Sequence, residues 1–149
     1  MTTAADPVFV DTNNLIYARQ ARSPFHAPAT TRLQALAAAG HPLWIGRQVL
    51  REYLAAMSRP GALTAPVAMA SLVADVQTFQ QQFLMAEDGP AVPSRLLNLL
   101  AATPIGGKQV HEANIVATML AHAIPRLLTH NVADFTRFAG HITVVPLIP

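Results

Sequence analysis

The sequence predicts an α/β protein: a central parallel sheet between two helical layers, in a three-layer α/β/α sandwich. Three observations carry that prediction. Short apolar β-like runs alternate with longer helical stretches along the chain, and strands separated by helices favour parallel pairing with helices on both faces. The breaks Gly40-His41-Pro42, Arg59-Pro60-Gly61 and Thr64-Ala65-Pro66 fall where the periodic segments end or begin. Four of only eight acidic residues fall where one edge of such a sheet collects them.

In chain order, Val8-Phe9-Val10 predicts a strand over 7–10, and Leu15-Ile16-Tyr17-Ala18 a helix over 14–20. An Ala-rich stretch of good helix formers predicts a helix over 27–39, closed by Gly40. A strand is expected over 43–45. It leads into a helix over 48–57 whose apolar face carries Val49, Leu50, Tyr53, Leu54 and Met57. Thr64-Ala65-Pro66 opens a helix over 67–82, followed by a strand over 83–86 and a helix over 94–101. Gly106-Gly107 lets the backbone enter a helix over 109–122 without strain. Leu127-Leu128 marks a strand over 126–128, a short helix through Phe135 to Phe138 follows, and the last strand covers 142–145.

The 149 residues suit one domain spanning 1–149, long enough to bury roughly two-thirds of its unfolded surface. With 52% hydrophobic and 12% charged residues, disorder is excluded on composition. No apolar run approaches the ~18 residues of a membrane span, and no basic start precedes an apolar segment as in a secretory signal. Cysteine is absent, which rules out disulfides and thiolate metal sites and is consistent with a cytoplasmic location. The formal charge is only +2. Arg accounts for nine of the ten basic residues, which suits phosphate recognition and equally suits GC-rich codon usage.

Acidic side chains avoid interiors unless paired or metal-bound. Asp11 ends the first strand and Asp134 closely follows the fourth, at the carboxyl edge where open α/β sheets place their sites. Glu52 lies two turns into the helix after Ile45, bordering its apolar face, and Glu112 shares a face with Ile115, Val116 and Met119. Each acid also has a structural reading. Asp11 suits a helix N-cap, and Asn131 with Asp134 has capping-box spacing. Glu52 has Arg47 or Arg59 as salt-bridge candidates, and Glu112 has Lys108. One hypothesis explains all four together: they surround a divalent cation held by oxygen ligands.

The segments Val8-Phe9-Val10-Asp11-Thr12-Asn13, Gln48-Val49-Leu50-Arg51-Glu52-Tyr53, Gly107-Lys108-Gln109-Val110-His111-Glu112-Ala113-Asn114 and Leu128-Thr129-His130-Asn131-Val132-Ala133-Asp134-Phe135 resemble, in order, the motifs of PIN domains. They resemble more closely those of the VapC-type ribonuclease toxins of toxin–antitoxin pairs. The resemblance implies a single PIN-like nuclease domain and a magnesium- or manganese-dependent endoribonuclease. In that reading Asp11, Glu52, Glu112 and Asp134 are the catalytic acids, with Asp11, Glu112 and Asp134 on metal. Thr12, Asn13, Thr129 and Asn131 are supporting residues. It further implies an RNA substrate, a cognate VapB-like antitoxin and a homodimer. One departure is plain: the third acid, usually Asp in this family, is Glu112.

Two other readings stay open. A catalytically degenerate PIN-like module would bind RNA or protein without cutting, and Glu112 is the feature that favours it. A phosphatase with Asp11 as nucleophile would want a second Asp two residues on, where Asn13 stands. The six His residues show no metal-binding i, i+4 pair.

Overall fold

The computed structural model describes residues 5–60 and 67–149. The helix start expected at Thr64-Ala65-Pro66 therefore lies outside the described residues, as does Gly61. The strands are β1 (Val8–Val10), β2 (Leu43–Gly46), β3 (Leu84–Ala86), β4 (Arg126–Thr129) and β5 (Thr143–Pro146). The helices are α1 (Thr12–Arg19), α2 (His26–Ala38), α3 (Arg47–Ser58), α4 (Met69–Gln82), α5 (Ala91–Ala102), α6 (Gln109–Ala121) and α7 (Val132–Phe135), the last continued by a 3-10 turn at Thr136–Phe138.

All four strand pairings are parallel, in the order β3-β2-β1-β4-β5. The chain thus runs outward from β1 through β2 to β3, then returns to lay β4 on the other side of β1. Right-handed crossovers are the rule for parallel strands, so the reversal sends the two sets of helices to opposite faces. The packing agrees: α1 contacts α2 and α3, and α3 contacts α4, whereas α5 packs on α6 and α6 touches α7. This is the three-layer sandwich expected from the alternation of elements.

The innermost strands, β1 and β4, pair Val10 with Leu128 and Phe9 with Leu127. Both are covered on two sides, which explains why each reads as a continuous apolar run. Tyr53, Met119 and Val116 from the flanking helices close the core around them. Gly46 makes the turn from β2 into α3 possible, because a Cβ there would meet the Phe9 ring at 3.3 Å. Gly107, at φ +61, enters α6 through the left-handed region as the Gly106-Gly107 pair suggests.

Small shifts from the expected boundaries have local causes. The first helix starts at Thr12 because Asp11 caps it. The fifth starts at Ala91 because Pro93 sits in its first turn, where a missing N–H costs nothing. The last strand covers Thr143–Pro146, one position later than 142–145, because the Thr143 amide donates to the Pro125 carbonyl (2.8 Å) and sets the pairing.

Candidate functional site at the carboxyl edge of the sheet

The sheet reverses its direction of winding between β1 and β4, and at such a switch point the carboxyl ends of the strands leave a crevice between diverging loops. The last residue of β1 is followed by Asp11, and β4 ends at Thr129. Asp11 is buried at 6% exposure. Its backbone amide donates to the Leu128 carbonyl (3.0 Å), extending the β1–β4 pairing. One carboxylate oxygen, Oδ1, accepts the Thr12 amide at 2.8 Å and caps α1. The other, Oδ2, accepts the Thr129 hydroxyl at 2.8 Å and, more distantly, the Asn13 amide nitrogen at 3.4 Å. The capping role and the site role are thus both true of Asp11: one oxygen caps, and the other faces the crevice partners.

Thr12 is bifunctional. Its amide serves Asp11, while its hydroxyl donates to Glu52 Oε2 at 2.7 Å. Glu52 Oε1 accepts Gln48 Nε2 at 2.6 Å. The salt bridge that would have explained Glu52 structurally is not made. Arg47 pairs with Glu87 instead, at 2.6 Å, and no ion pair to Glu52 occurs among the described residues.

Thr129 holds the β4 side together. Besides donating to Asp11, its hydroxyl accepts Asn13 Nδ2 (3.2 Å) and the Asn131 amide (3.0 Å). Asn13 Oδ1 accepts the His130 amide at 3.2 Å. Asn131 begins α7 without a side-chain cap bond, so its pairing with Asp134 as a capping box is not realised. Asp134 is exposed in the first turn of α7.

Electrostatics ties the acids to one another. Burial pushes the Asp11 carboxyl up to about 6 from the usual 3.8, against the pull of the Thr129 and Thr12 hydrogen bonds. The charges of Glu52 and Glu112 add to the rise. Glu112 is raised too, first by burial and then by Asp134 and Glu52, with Arg137 and Lys108 opposing. Lys108 does not form a salt bridge with it. All four acids named from the sequence therefore share one field at one edge of the sheet. Among the described residues, however, no three His, Asp or Glu side chains converge closely enough to enclose a metal ion. The acids lie within reach of one another's charge and do not form a closed cage.

Sequence reasoning assigned no role to three amides that build this site. Asn14, fully buried, donates to the carbonyls of both Asp11 (3.1 Å) and Leu128 (2.8 Å), clasping the ends of β1 and β4. Gln48 Nε2 reaches the His111 carbonyl (2.9 Å) besides Glu52, and its Oε1 accepts Asn114 Nδ2 at 2.8 Å. Gln48 and Asn114 thereby lock the Glu52 helix to the Glu112 helix. The available signal was the spacing of Gln48, four residues before Glu52; Asn114 carried none.

This strand order, with acids brought from four separate segments to one edge of the sheet, is similar to the fold of PIN domains. Comparison with known proteins narrows the likeness to the VapC type, as the motifs suggest. The chain is 28% identical over 132 residues to Ribonuclease VapC48 of Mycobacterium tuberculosis, covering 87% of this chain and 90% of that protein. It is 27% identical over the same length to Ribonuclease VapC24 of that organism, covering 87% and 89%. Among solved structures, VapBC2 from Rickettsia felis, bound to a DNA fragment from its promoter, superposes with a TM-score of 0.68 at 16% identity, over 93% of this chain and 97% of that one. No family model matches the chain.

Proposed function

We propose that the chain is an endoribonuclease of the toxin–antitoxin type that uses magnesium or manganese to hydrolyse RNA phosphodiester bonds. The observation that carries this reading is Asp11. A carboxyl raised to about 6 by burial and by the charges of Glu52 and Glu112 has no ion-pair partner among the described residues. A divalent ion supplies that partner.

The donor set fits such an ion. It consists of hard oxygen ligands with no thiolate, and magnesium commonly keeps several waters while taking only one or two carboxylates. A set of acids that does not close into a cage is compatible with that habit. Asp11, Glu112 and Asp134 are the residues that would hold it. When bound, the ion lowers the pKa of a coordinated water and offsets charge on the phosphate oxygens.

The rest falls to the chain's own side chains. Thr129 and Asn13 fix the rotamer of Asp11 and keep Oδ2 directed to the crevice. Thr12 and Gln48 hold Glu52 by one oxygen each, which positions it to orient a water or accept its proton. Lys108 and Arg137, whose charges reach Glu112, are available to the substrate's phosphates. The named ribonuclease relatives, and the solved neighbours in which such a toxin is joined to an antitoxin, support the same reading. The reading carries with it a VapB-like antitoxin as partner, a homodimer and action in the cytoplasm. No helix among the described residues is long and apolar enough to cross a membrane.

Glu112, in place of the Asp that the resemblance puts there, is the feature that favours the non-cutting alternative. Incubating total RNA with magnesium, manganese or EDTA, with Asp11→Asn as control, separates the two. Cleavage that needs a divalent ion and vanishes in the variant supports the nuclease. RNA binding without cleavage under every condition refutes it.

A further inference from the structure

We propose that Tyr17, Phe25 and His130 form a stacking platform that seats one base of a single-stranded RNA beside the Asp11 edge of the sheet. The proposal rests on the nuclease reading above. The three rings come from three separate places: Tyr17 from α1, Phe25 from the residue that precedes α2, and His130 from the residue after β4. Phe25 and His130 lie with centroids 4.3 Å apart at 46°, Tyr17 and Phe25 at 4.9 Å and 47°, and Tyr17 meets His130 edge-on at 5.6 Å and 85°.

These rings do not serve the core. Each remains partly exposed, and neither Tyr17 nor Phe25 packs against the hydrophobic cluster that fills the sandwich. The cluster is nevertheless wired to the acids. The His130 amide donates to Asn13 Oδ1 (3.2 Å), and Asn13 Nδ2 reaches Asp11 Oδ2 (3.4 Å). The loop carrying Phe25 is held in place as well. Its amide donates to Ser23 Oγ at 3.1 Å, and the neighbouring His26 Nδ1 contacts the Tyr17 carbonyl at 3.0 Å. A fixed, half-open aromatic group two hydrogen bonds from a phosphate-cutting centre has an evident use. Single-stranded RNA exposes unstacked bases that aromatic side chains hold by their faces, whatever their identity. Seating a base there would hold its strand close to the acids.

The test is binding of an eight-residue oligouridylate carrying one central 2-aminopurine, with manganese present and Asp11→Asn in the protein so that nothing is cut. Stacking is expected to quench the aminopurine, and adding Phe25→Leu to weaken binding about tenfold and abolish the quench. His130→Gln serves as a second variant with less effect on packing. A bound oligonucleotide with no quench overturns the platform, as does absence of binding. So does an unchanged Kd in both variants beside a lowered melting temperature, since the rings would then only staple the loop. Total-RNA cleavage by the unmodified protein is read in parallel. Cleavage with no effect of Phe25→Leu on binding sinks the platform alone, whereas absence of both cleavage and binding sinks the nuclease reading with it.

Discussion

The Thr129 hydroxyl donates to Asp11 Oδ2 at 2.8 Å across 118 positions of sequence. That one contact joins the end of β4 to the end of β1, and Thr129 Oγ1 in turn accepts from Asn13 Nδ2 and from the Asn131 amide. Replacing Thr129 with Val keeps the shape and removes every one of these bonds. Because the site is buried, the loss should cost ~1–3 kcal/mol of stability, read as a lower midpoint in urea. The Thr129 bond also holds the Asp11 carboxyl down, so its loss should move the acid limb of the cleavage pH profile upward. Thr129→Ser should restore both; an unmoved profile in Thr129→Val would show that the bond is structural only.

What the sequence discloses of this arrangement, and what it conceals, divides along charge. Asp11, Glu52, Glu112 and Asp134 are legible because a carboxylate beside an apolar run needs an explanation, and the parallel sheet that unites them follows from the β–α alternation. Asn14, Gln48 and Asn114 are not. A neutral amide sits comfortably on a helix, so nothing in the pattern shows that Gln48 bridges two helices or that Asn14 clasps two strands. The contacts that make these bridges reach backbone carbonyls and side chains 63 to 114 residues away, and they exist only once the sheet has formed. The Tyr17–Phe25–His130 cluster is hidden for the same reason: its rings come from three separate segments and meet only in the fold. At Thr12, Ala91 and Thr143 a local bond or a proline moved the boundary from the expected one.

Asp11 should make the protein less stable near neutral pH than it need be. Its folded value of about 6 lies above the unfolded 3.8, so between these values the fold retains a proton that the unfolded chain has released. The stability tied to the neutral acid is complete below about pH 4 and is lost as pH rises through about 6. Asp11→Asn never carries the charge. It should therefore melt higher than the parent near neutral pH, by no more than ~3 kcal/mol at 1.36 kcal/mol per pH unit, and the two should converge near pH 4. Manganese should raise the parent's melting temperature near neutral pH and leave the variant's unchanged. A variant that melts lower than the parent at every pH would refute the assignment.

Glu112 offers a test of site geometry. The resemblance puts Asp at this position, and the longer side chain displaces the carboxylate by more than ~1 Å in a site for an ion that demands near-ideal octahedral geometry. Manganese should therefore support faster cleavage than magnesium in the natural chain, and Glu112→Asp should narrow or reverse that ratio. Glu112→Gln removes the charge and should depress cleavage with either ion by at least ~100-fold. Ratios identical in the natural chain and Glu112→Asp would show that this carboxylate does not touch the metal.

Gln48 should act on the reaction through Glu52. Its amide nitrogen donates to Glu52 Oε1 at 2.6 Å and to the His111 carbonyl at 2.9 Å, and its oxygen accepts from Asn114 at 2.8 Å. Gln48→Leu removes all three bonds. Because the group is only partly buried, the cost should sit near the low end of ~1–3 kcal/mol, small enough to leave the protein folded at room temperature. Glu52 would then be held by Thr12 alone, and kcat should fall about tenfold with little change in KM, since orientation matters most in the transition state. Gln48→Glu preserves size but replaces the donor on Glu52 Oε1 with a second carboxylate, so kcat should fall at least as far as in Gln48→Leu, again with little change in KM. An unchanged kcat in both variants, or a loss carried by KM, would place Gln48 outside the positioning of Glu52.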